Sequence, residues 1–290
     1  MPPVSDDIVA AGLARLETVL AGFESVLVAF SGGTDSTLVL RVAHDLLGER
    51  CVAVTTRSPS TPAHDRRAAD ETVQALGVRH RWIDTNELDI PQYAANPVDR
   101  CFFCKTNLFD ICEVERARLG LATVVDGANL DDLSDHRPGL GAAASHHVRH
   151  PLIEARLGKP AVRAISRTLG LPTWDRPASP CLSSRVPYGT PITAVLLARI
   201  DGAESHLRGL GFREVRVRAH DALARIEVPP DDLPRLLDPA LRADVTATLR
   251  TLGFAHVTVD LRGFRSGSLN EGIGETTKGP EVIPQAPRVR

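Results

Sequence analysis

No stretch of this sequence is apolar over the ~20 residues that a membrane-spanning helix needs, and no basic segment followed by an apolar one opens it. We therefore expect a cytoplasmic protein with no membrane partner. Charge of one sign is not in excess either: the formal net charge is -2, so electrostatics gives no reason to expect a nucleic-acid partner. Lysine occurs only at Lys105, Lys159 and Lys278, and the preference for arginine is as consistent with genome composition as with function.

Cysteine is also scarce, with five residues in the whole chain, and in a reducing compartment such cysteines argue against disulfides. Metal binding, catalysis or simple burial remain open for each of them. Cys51 falls in a predicted core strand and Cys112 in the body of a predicted helix. We predict that both are buried and chemically inert.

The most informative segment, residues 26–36, predicts a strand, a loop and a helix in succession. The apolar run VLVAF leads into SGGTDS, and an amphipathic helix follows with apolar positions at Leu38, Val39 and Val42. Two adjacent glycines let the backbone approach an anion, and the start of the helix directs its N–H groups to the same place. The segment predicts a phosphate-binding loop, although an ordinary Gly-Gly turn capped by Asp or Ser has the same local pattern.

This loop is not a Walker loop, because the spacing GxxxxGK[ST] is absent and no lysine follows the glycines. It resembles instead the PP-loop of the ATP pyrophosphatase superfamily. That resemblance implies that ATP is split between its α and β phosphates, so that a substrate oxygen becomes adenylylated and pyrophosphate leaves. It also implies that Asp35 is catalytic and that the ATP-binding residues are Ser31, Gly32, Gly33, Thr34, Asp35, Ser36, Thr56 and Gly127.

Strands and helices alternate through the first half of the chain. Residues 51–56 and 78–84 are predicted strands, and the helix between them, at 63–76, ends at Gly77. The alternation predicts an α/β fold with a doubly wound parallel sheet. In such a sheet, ligands bind at the carboxyl ends of the strands.

Three local predictions complete this part of the chain. Ser5 is expected to cap the opening helix. Residues 148–153 are predicted to form a short strand. Neighbouring histidines point apart, so we predict that His146, His147 and His150 are surface residues rather than metal ligands.

One loop, after the predicted strand at 123–125, is rich in acidic side chains. Asp126, Asp131, Asp132 and Asp135 lie within ten residues of one another. So many carboxylates beside a phosphate site would repel ATP unless Mg²⁺ bridged them, and Mg²⁺ binds through one or two carboxylates plus phosphate oxygens. We therefore predict that Asp126, with Asp132 or Asp135, holds Mg²⁺. The alternative is a solvated acidic turn with an Asx cap.

The remaining cysteines form a second candidate site. Cys101 and Cys104 stand in a CxxC at the start of a predicted helix, where the helix N-terminus, Arg100 and Lys105 are expected to lower the pKa of their thiols. Alone, this pair would suit zinc, an iron–sulfur cluster or redox exchange. No second CxxC and no HxxxH completes a zinc site, whereas Cys181 lies in another irregular loop. Three thiolates can bind a [4Fe-4S] cluster and leave one iron open to hold a sulfide.

A short internal repeat appears in the last third of the chain, where LRGLGFREVRVR at 207–218 matches LRTLGFAHVTVD at 249–260. Each copy predicts a helix end, a glycine and a strand. Together with a predicted strand at 223–228 they indicate a smaller C-terminal α+β domain. The predicted division is a first domain at 1–178, a second at 179–262 and a disordered tail at 263–290.

Two arginines of the first copy, Arg216 and Arg218, leave one face of the predicted strand. Val215 and Val217 leave the opposite face. The arginines form either a solvated face or an anion site shared with another surface.

The PP-loop, the acidic loop and the Cys181 loop together closely resemble the LarE family of sulfur transferases, from about residue 5 to about residue 262. SPCLSSRVPYG and DGAN-x-DD-x-x-D-x-RPG carry this resemblance more specifically than the PP-loop alone. That family makes the nickel-pincer nucleotide of lactate racemase and related enzymes. The resemblance implies that ATP activates the carboxylates of pyridinium-3,5-biscarboxylic acid mononucleotide and that sulfur then replaces oxygen.

Members of this family differ in the source of the sulfur. Those with a single cysteine, matching Cys181, sacrifice it and keep dehydroalanine, whereas those that also match Cys101 and Cys104 resemble cluster enzymes. Because all three cysteines are present here, we hypothesise the cluster route, with sacrifice of the Cys181 sulfur as the alternative.

The resemblance also implies the remaining site residues. Cys181 and Arg185 are the implied catalytic residues, and the implied substrate-binding residues are Ser184, Arg185, Arg216 and Arg218. In the family, arginines of the second domain bind substrate phosphate at a subunit junction. That implies a homo-oligomer, a trimer or a hexamer.

Three other functions share parts of this pattern. A tRNA thiolase of the same superfamily would also combine a PP-loop, a CxxC and a later cysteine, but it should have a basic surface. A synthase that uses ammonia would need no cysteines. A nucleotide-sensing module would bind ATP without chemistry.

Overall fold

The computed structural model describes residues 5–133 and 138–265, which form two sheets and their flanking helices. The strands are β1 Val26–Ala29, β2 Cys51–Arg57, β3 Arg79–Asp84, β4 Thr123–Val125, β5 Arg216–His220, β6 Leu223–Glu227 and β7 His256–Val259. The helices are α1 Asp6–Ala21, α2 Thr34–Leu47, α3 Ala63–Leu76, α4 Pro91–Ala94, α5 Arg100–Leu119, α6 Pro138–Ser145, α7 Pro151–Glu154, α8 Lys159–Thr168, α9 Ala194–Gly209, α10 Leu233–Leu236 and α11 Pro239–Thr251. Within the described ranges, no helix is both long and apolar enough to cross a membrane.

The first sheet has the strand order β3-β2-β1-β4, and all three pairings are parallel. Every residue of β1 is buried, because α1, α2 and α8 pack on one face and α5 with α6 on the other. Apolar residues throughout a strand are typical of a parallel sheet covered on both sides. The predicted doubly wound α/β sheet is therefore confirmed.

The second sheet has the order β5-β6-β7, with one antiparallel and one parallel pairing. The internal repeat has the predicted form: α9 and α11 are each followed by a glycine with positive φ, Gly211 at 91° and Gly253 at 96°. The strands of the two copies, β5 and β7, lie on either side of β6. The smaller α+β part is confirmed with its own apolar core, while the division at residue 178 remains a prediction.

Two local predictions are wrong. Residues 148–153 do not form a strand: Arg149 makes an isolated bridge to Val125, and α7 begins at Pro151, because proline lacks the N–H that a strand would use and favours the first turn of a helix. Ser5 does precede α1, but its hydroxyl makes no capping bond, and its carbonyl accepts from the Val9 N–H instead.

Candidate functional site

The phosphate loop connects β1 to α2 and is held by its own serines. The Ser31 and Ser36 hydroxyl oxygens lie 3.0 Å apart, and the Gly33 N–H donates to Ser31 Oγ at 3.4 Å. Gly33 stands at the N-cap of α2 and has no side chain with which to cap the helix. The first N–H groups of α2 therefore remain available to an anion, as the sequence predicts.

The loop after β4 lies directly on the start of α2. A Cβ added to Gly127 would stand 2.6 Å from the Ser36 nitrogen and 2.9 Å from the Ser36 Cα. Only glycine fits this contact, because the neighbouring atoms are backbone and cannot rotate away. The acidic loop and the phosphate loop thus share one surface at the carboxyl ends of β1 and β4.

We expect the substitution Gly127→Ala to displace the phosphate loop. The added methyl overlaps the backbone of Ser36, so unfolding free energy should fall by about 1–3 kcal/mol, or more, and ATP affinity should fall with it. Thermal unfolding and ATP titration measure the two effects. Gly209→Ala is the matched control, because nothing lies within 4 Å of its added Cβ. Equal behaviour of the two variants would contradict this prediction.

The acidic loop is ordered by its own backbone and by a histidine. Asp126 is buried, accepts from the Ala128 N–H at 3.0 Å and lies 2.7 Å from His150 Nδ1. Burial works to lower the pKa of His150, but Asp126 outweighs burial and holds that pKa above its ordinary value. The expectation of surface histidines is wrong for His150, whose side chain is 20% exposed, and for His146, whose side chain is 16% exposed and lies 2.9 Å from Asp110. His147 is exposed, as predicted. Asp132 accepts from the Asn129 N–H at 3.0 Å.

Asp35 has one oxygen that is paired and one that is not. Its Oδ2 is paired with Lys159 Nζ, while its buried Oδ1 has no hydrogen-bond partner among the described residues. In that same part of the chain, no three His, Cys, Asp or Glu side chains are arranged to hold a metal ion. Asp135, a predicted Mg²⁺ ligand, lies outside the described residues. Lys159 is a site residue that no sequence motif indicates, although its rarity, as one of three lysines in the chain, is itself a signal.

The three candidate cysteines lie on two neighbouring segments. Cys101 is exposed, while Cys104, one turn later on α5, and Cys181 are half-buried. Burial raises the pKa of the Cys104 thiol well above its ordinary value, and neighbouring Cys181 raises it further. The predicted lowering of this pKa is therefore wrong for Cys104: burial exceeds the effect of Lys105.

The other two cysteines have the predicted environment. Cys51 and Cys112 are fully buried in the core of the first sheet. Burial raises the pKa of each thiol to about 12, so neither is a thiolate near neutral pH. Their predicted inertness fits this burial.

A set of contacts that we call the cysteine clamp joins the segment that carries Cys101 and Cys104 to the loop that carries Cys181. Asn96, fully buried with a φ of 57°, donates to the carbonyls of Pro187 at 2.7 Å and Thr190 at 3.0 Å. Its side-chain oxygen accepts from Arg100 at 2.9 Å, and the Arg100 guanidinium lies 4.6 Å from the centre of the Tyr188 ring. The start of the CxxC helix is therefore fixed to the loop that follows Cys181.

The Cys181 loop also contacts the segment that follows β2. The Leu182 N–H donates to the Ser60 carbonyl at 2.8 Å, and the buried Ser183 hydroxyl lies 2.5 Å from the Tyr93 hydroxyl. Because β2 neighbours β1, this contact places the Cys181 loop at the same edge of the sheet as the phosphate loop.

Arg185 is fully buried and bonds to the backbone of the Cys181 loop from the interior of the protein. Its guanidinium bonds both oxygens of Glu204, at 2.8 and 3.0 Å, and donates to the Cys181 carbonyl at 2.9 Å. Ser184 donates its hydroxyl to the same carbonyl at 2.8 Å. Both side chains thus hold the backbone at Cys181, and direct contact with substrate remains a prediction for them.

The paired arginines of β5 are not on a solvated face, so that alternative is wrong. Arg216 and Arg218 are 5% and 6% exposed. Arg218 forms a two-pronged ion pair with Glu227, both contacts at 3.0 Å, and donates to the Ser184 carbonyl at 2.6 Å. Arg216 donates to the Ala178 carbonyl at 2.6 Å. Both arginines therefore contact the segment that carries Cys181, and substrate binding by them remains a prediction.

Known proteins resemble this chain in sequence and in fold. The family model of NAD synthase matches residues 14–101. An uncharacterised protein of Synechocystis is 45% identical over 258 residues, which are 89% of this chain and 96% of that protein. NMN synthetase from Francisella tularensis is 19% identical with a TM-score of 0.50, covering 59% of this chain and 75% of the other, and shows the fold alone.

One relative has a named activity. The pyridinium-3,5-bisthiocarboxylic acid mononucleotide synthase of Lactiplantibacillus plantarum is 38% identical over 261 residues, which are 90% of this chain and 94% of that protein. The similarity spans both sheets, the phosphate loop and the Cys181 loop, so it is not confined to the domain matched by the NAD synthase model. At this identity and coverage the chain belongs to the family of that synthase, the LarE family within the PP-loop ATP pyrophosphatases.

Proposed function

We propose that the protein is an ATP-dependent sulfur transferase that acts on pyridinium-3,5-biscarboxylic acid mononucleotide and makes the thiocarboxylate precursor of the nickel-pincer nucleotide. The observation that carries this proposal is that the cysteine clamp and the Leu182–Ser60 contact bring the segments of Cys104 and Cys181 together at the edge of the sheet that carries the phosphate loop. A synthase that uses ammonia has no need of these thiols. The named relative acts on a nucleotide of the proposed kind.

The proposed reaction has two steps. A substrate carboxylate oxygen attacks the α phosphorus of ATP, and pyrophosphate leaves. A sulfur nucleophile then attacks the activated carboxyl carbon, and AMP leaves with the original oxygen. The first N–H groups of α2, with Ser31 and Ser36, would bind the pyrophosphate end of ATP.

Magnesium would lower the repulsion between these phosphates and the acidic loop. Asp35 Oδ1 fits a Mg²⁺ site, because it is buried and has no hydrogen-bond partner among the described residues. Asp126 and Asp132 remain the proposed carboxylates of the neighbouring loop. Mg²⁺ bound to one or two of these carboxylates would use phosphate oxygens and water for its remaining ligands.

Two sources of sulfur are compatible with these cysteines. In the proposed route, Cys101, Cys104 and Cys181 hold a [4Fe-4S] cluster, which would supply a sulfide on its open iron. Three cysteines are the residue type that such a cluster requires, and Cys101 and Cys104 lie on a segment that contacts the Cys181 loop. Among the described residues the three thiols are not already arranged as a metal site, so cluster binding would have to draw them together. In the alternative, the Cys181 thiolate itself attacks the activated carboxyl carbon and AMP leaves. A base then removes the Cys181 Cα proton as the Cβ–S bond breaks, so that the thiocarboxylate departs with the sulfur and dehydroalanine remains in the chain.

The iron content distinguishes these routes. We expect about four irons and four acid-labile sulfides per chain after preparation without oxygen, and loss of both in the Cys181→Ala variant. The Cys51→Ala variant is the control, because Cys51 lies in the core away from the site. If careful anaerobic reconstitution yields no iron, the cluster route is wrong, and each active chain should instead lose the mass of one hydrogen sulfide.

The function itself is tested by the dependence on substrate. Pyrophosphate release should require both ATP with Mg²⁺ and the pyridinium mononucleotide, and the product should contain sulfur in place of oxygen. Turnover with ammonia after replacement of all three site cysteines by alanine would overturn the proposal. Retention on an RNA column at moderate salt would favour a tRNA thiolase. The homo-oligomer remains a proposal that size measurement in solution tests.

A further inference from the structure

Residues 173–179, which we call the strap, lead from the end of the first sheet's last helix toward Cys181 and pass over the phosphate loop. The Thr34 hydroxyl donates to the Thr173 carbonyl at 2.7 Å, and both residues are buried. Arg176 donates to the Gly32 carbonyl at 2.9 Å. The strap therefore bonds to Gly32 and to Thr34, the residue after Gly33, in the loop that is expected to bind the phosphates.

The same arginine also contacts the start of α3. Arg176 Nη2 donates to Asp65 Oδ1 at 2.8 Å, and the Ser179 hydroxyl donates to Asp65 Oδ2 at 2.6 Å. Asp65 is buried, and the side chain of Arg176 is only 18% exposed. Ser179 lies two residues before Cys181. One guanidinium and one carboxylate thus connect the phosphate loop to the cysteine segment.

The phosphate loop packs closely against α3. Gly32 has a φ of 74°, and a Cβ built there would lie 3.0 Å from the Ala69 Cβ and 3.1 Å from the Ala69 Cα. The loop therefore packs against the backbone of α3, whose first turn carries Asp65. A shift of the loop on binding phosphate would therefore displace the strap in two ways. It would act through the Arg176 bond to Gly32, and through α3, whose Asp65 bonds to Arg176 and Ser179.

We propose that Arg176 is a positioning residue that couples occupation of the phosphate loop by ATP to the placement of Cys181. This role requires arginine, because the planar guanidinium donates to the Gly32 carbonyl and to Asp65 at once from fixed directions. A lysine ammonium has no such fixed geometry. The inference rests on the proposed function only in assigning ATP to this loop and sulfur chemistry to Cys181.

The coupling can be measured without any turnover. Iron-free, full-length protein is treated with iodoacetamide, with and without saturating ATP and Mg²⁺, and the alkylation of Cys181 is followed by peptide mass mapping. Bound ATP should slow the reaction about fivefold or more, the lower end of typical couplings between sites. In Arg176→Gln the effect should shrink to less than about twofold.

Two further variants make the result decisive. Arg167→Gln removes the same charge from an exposed residue whose guanidinium lies 5.6 Å from the centre of the Trp174 ring, and it should keep the full effect of ATP. Ser179→Ala removes the hydrogen bond to Asp65 without changing any charge, and it should weaken the effect of ATP on alkylation. This variant keeps the proposal testable if Arg176→Gln does not fold.

An equal effect of ATP in wild type, Arg176→Gln and Ser179→Ala would overturn the proposal. The proposal would also be overturned if titration showed that the wild type binds ATP while ATP left the alkylation rate of Cys181 unchanged. Because no substrate is present, a chain that transfers no sulfur can still show the coupling, so the two proposals fail separately.

Discussion

Replacing Cys181 with alanine should abolish formation of the thiocarboxylate while ATP continues to bind. Both sulfur routes need this thiol, either as a cluster ligand or as the donor itself, so product should fall by about a thousandfold or more. Nothing in the phosphate loop is bonded to its side chain, and ATP affinity should change little. Product assay and ATP titration on the same preparation measure the two effects.

The Cys104→Ala variant separates the two routes within the same experiment. If sulfur comes from Cys181 itself, this variant still makes up to one product per chain and then stops. If sulfur comes from a cluster, it makes none. The Cys112→Ala variant should keep its turnover, because Cys112 lies on the face of α5 that packs into the core. Sustained multiple turnover by Cys181→Ala would exclude both routes.

The second large effect is expected at Glu204, where Glu204→Gln should destabilise the protein by about 3–5 kcal/mol. This carboxylate is fully buried and accepts two bonds from Arg185, one from Arg208 at 2.9 Å and one from the Val217 N–H at 3.0 Å. A neutral amide would leave buried guanidinium charge without compensation. Urea unfolding measures the loss of free energy.

An exposed ion pair provides the control for this prediction. Arg57 and Asp84 form a similar two-pronged contact, at 2.6 and 2.9 Å, but their side chains are 47% and 74% exposed. Water screens exposed ion pairs and leaves them little net effect on stability, so Asp84→Asn should change the free energy of unfolding little. Similar losses in the two variants would show that burial does not set the strength of the Glu204 pair.

The effect at Glu204 should also depend on pH. Burial alone would raise the pKa of this carboxyl, but Arg185 and the neighbouring arginines outweigh burial and lower the pKa to about 2. A lowered folded-state pKa adds stability that is fully present above the ordinary value of 4.5 and is lost as the pH falls toward 2. The difference between wild type and Glu204→Gln should therefore shrink below pH 4.5.

The elements that the sequence predicts well are those whose signal is local. The strand, loop and helix around Gly32 depend on periodicity and on adjacent glycines, and the repeat depends on two matching segments of the chain. The strand at 148–153 failed at Pro151, where one residue overrides the apolar pattern around it.

The parts of the site that sequence reasoning missed depend on contacts between distant residues. Lys159 meets Asp35 across 124 positions, and Asn96 meets Thr190 across 94. No pattern within a helix or strand announces such a pair. Burial of Arg185 was equally hidden, because an arginine in a Ser- and Pro-rich loop has the composition of an exposed segment. Only the packing of α9 beneath the loop supplies Glu204 as its partner.

The position of the strap in the sequence also determines when, during synthesis, the phosphate loop can first bond to the segment that leads to Cys181. Arg176 lies 144 positions after Gly32, so the ribosome must add this stretch after it has synthesised the phosphate loop. At usual elongation rates of about 5–20 residues per second this takes roughly 7–29 s. A nascent chain can therefore form the first strands long before its nucleotide loop and its thiol are joined. Premature termination anywhere before residue 181 leaves a fragment that lacks the thiol required for chemistry.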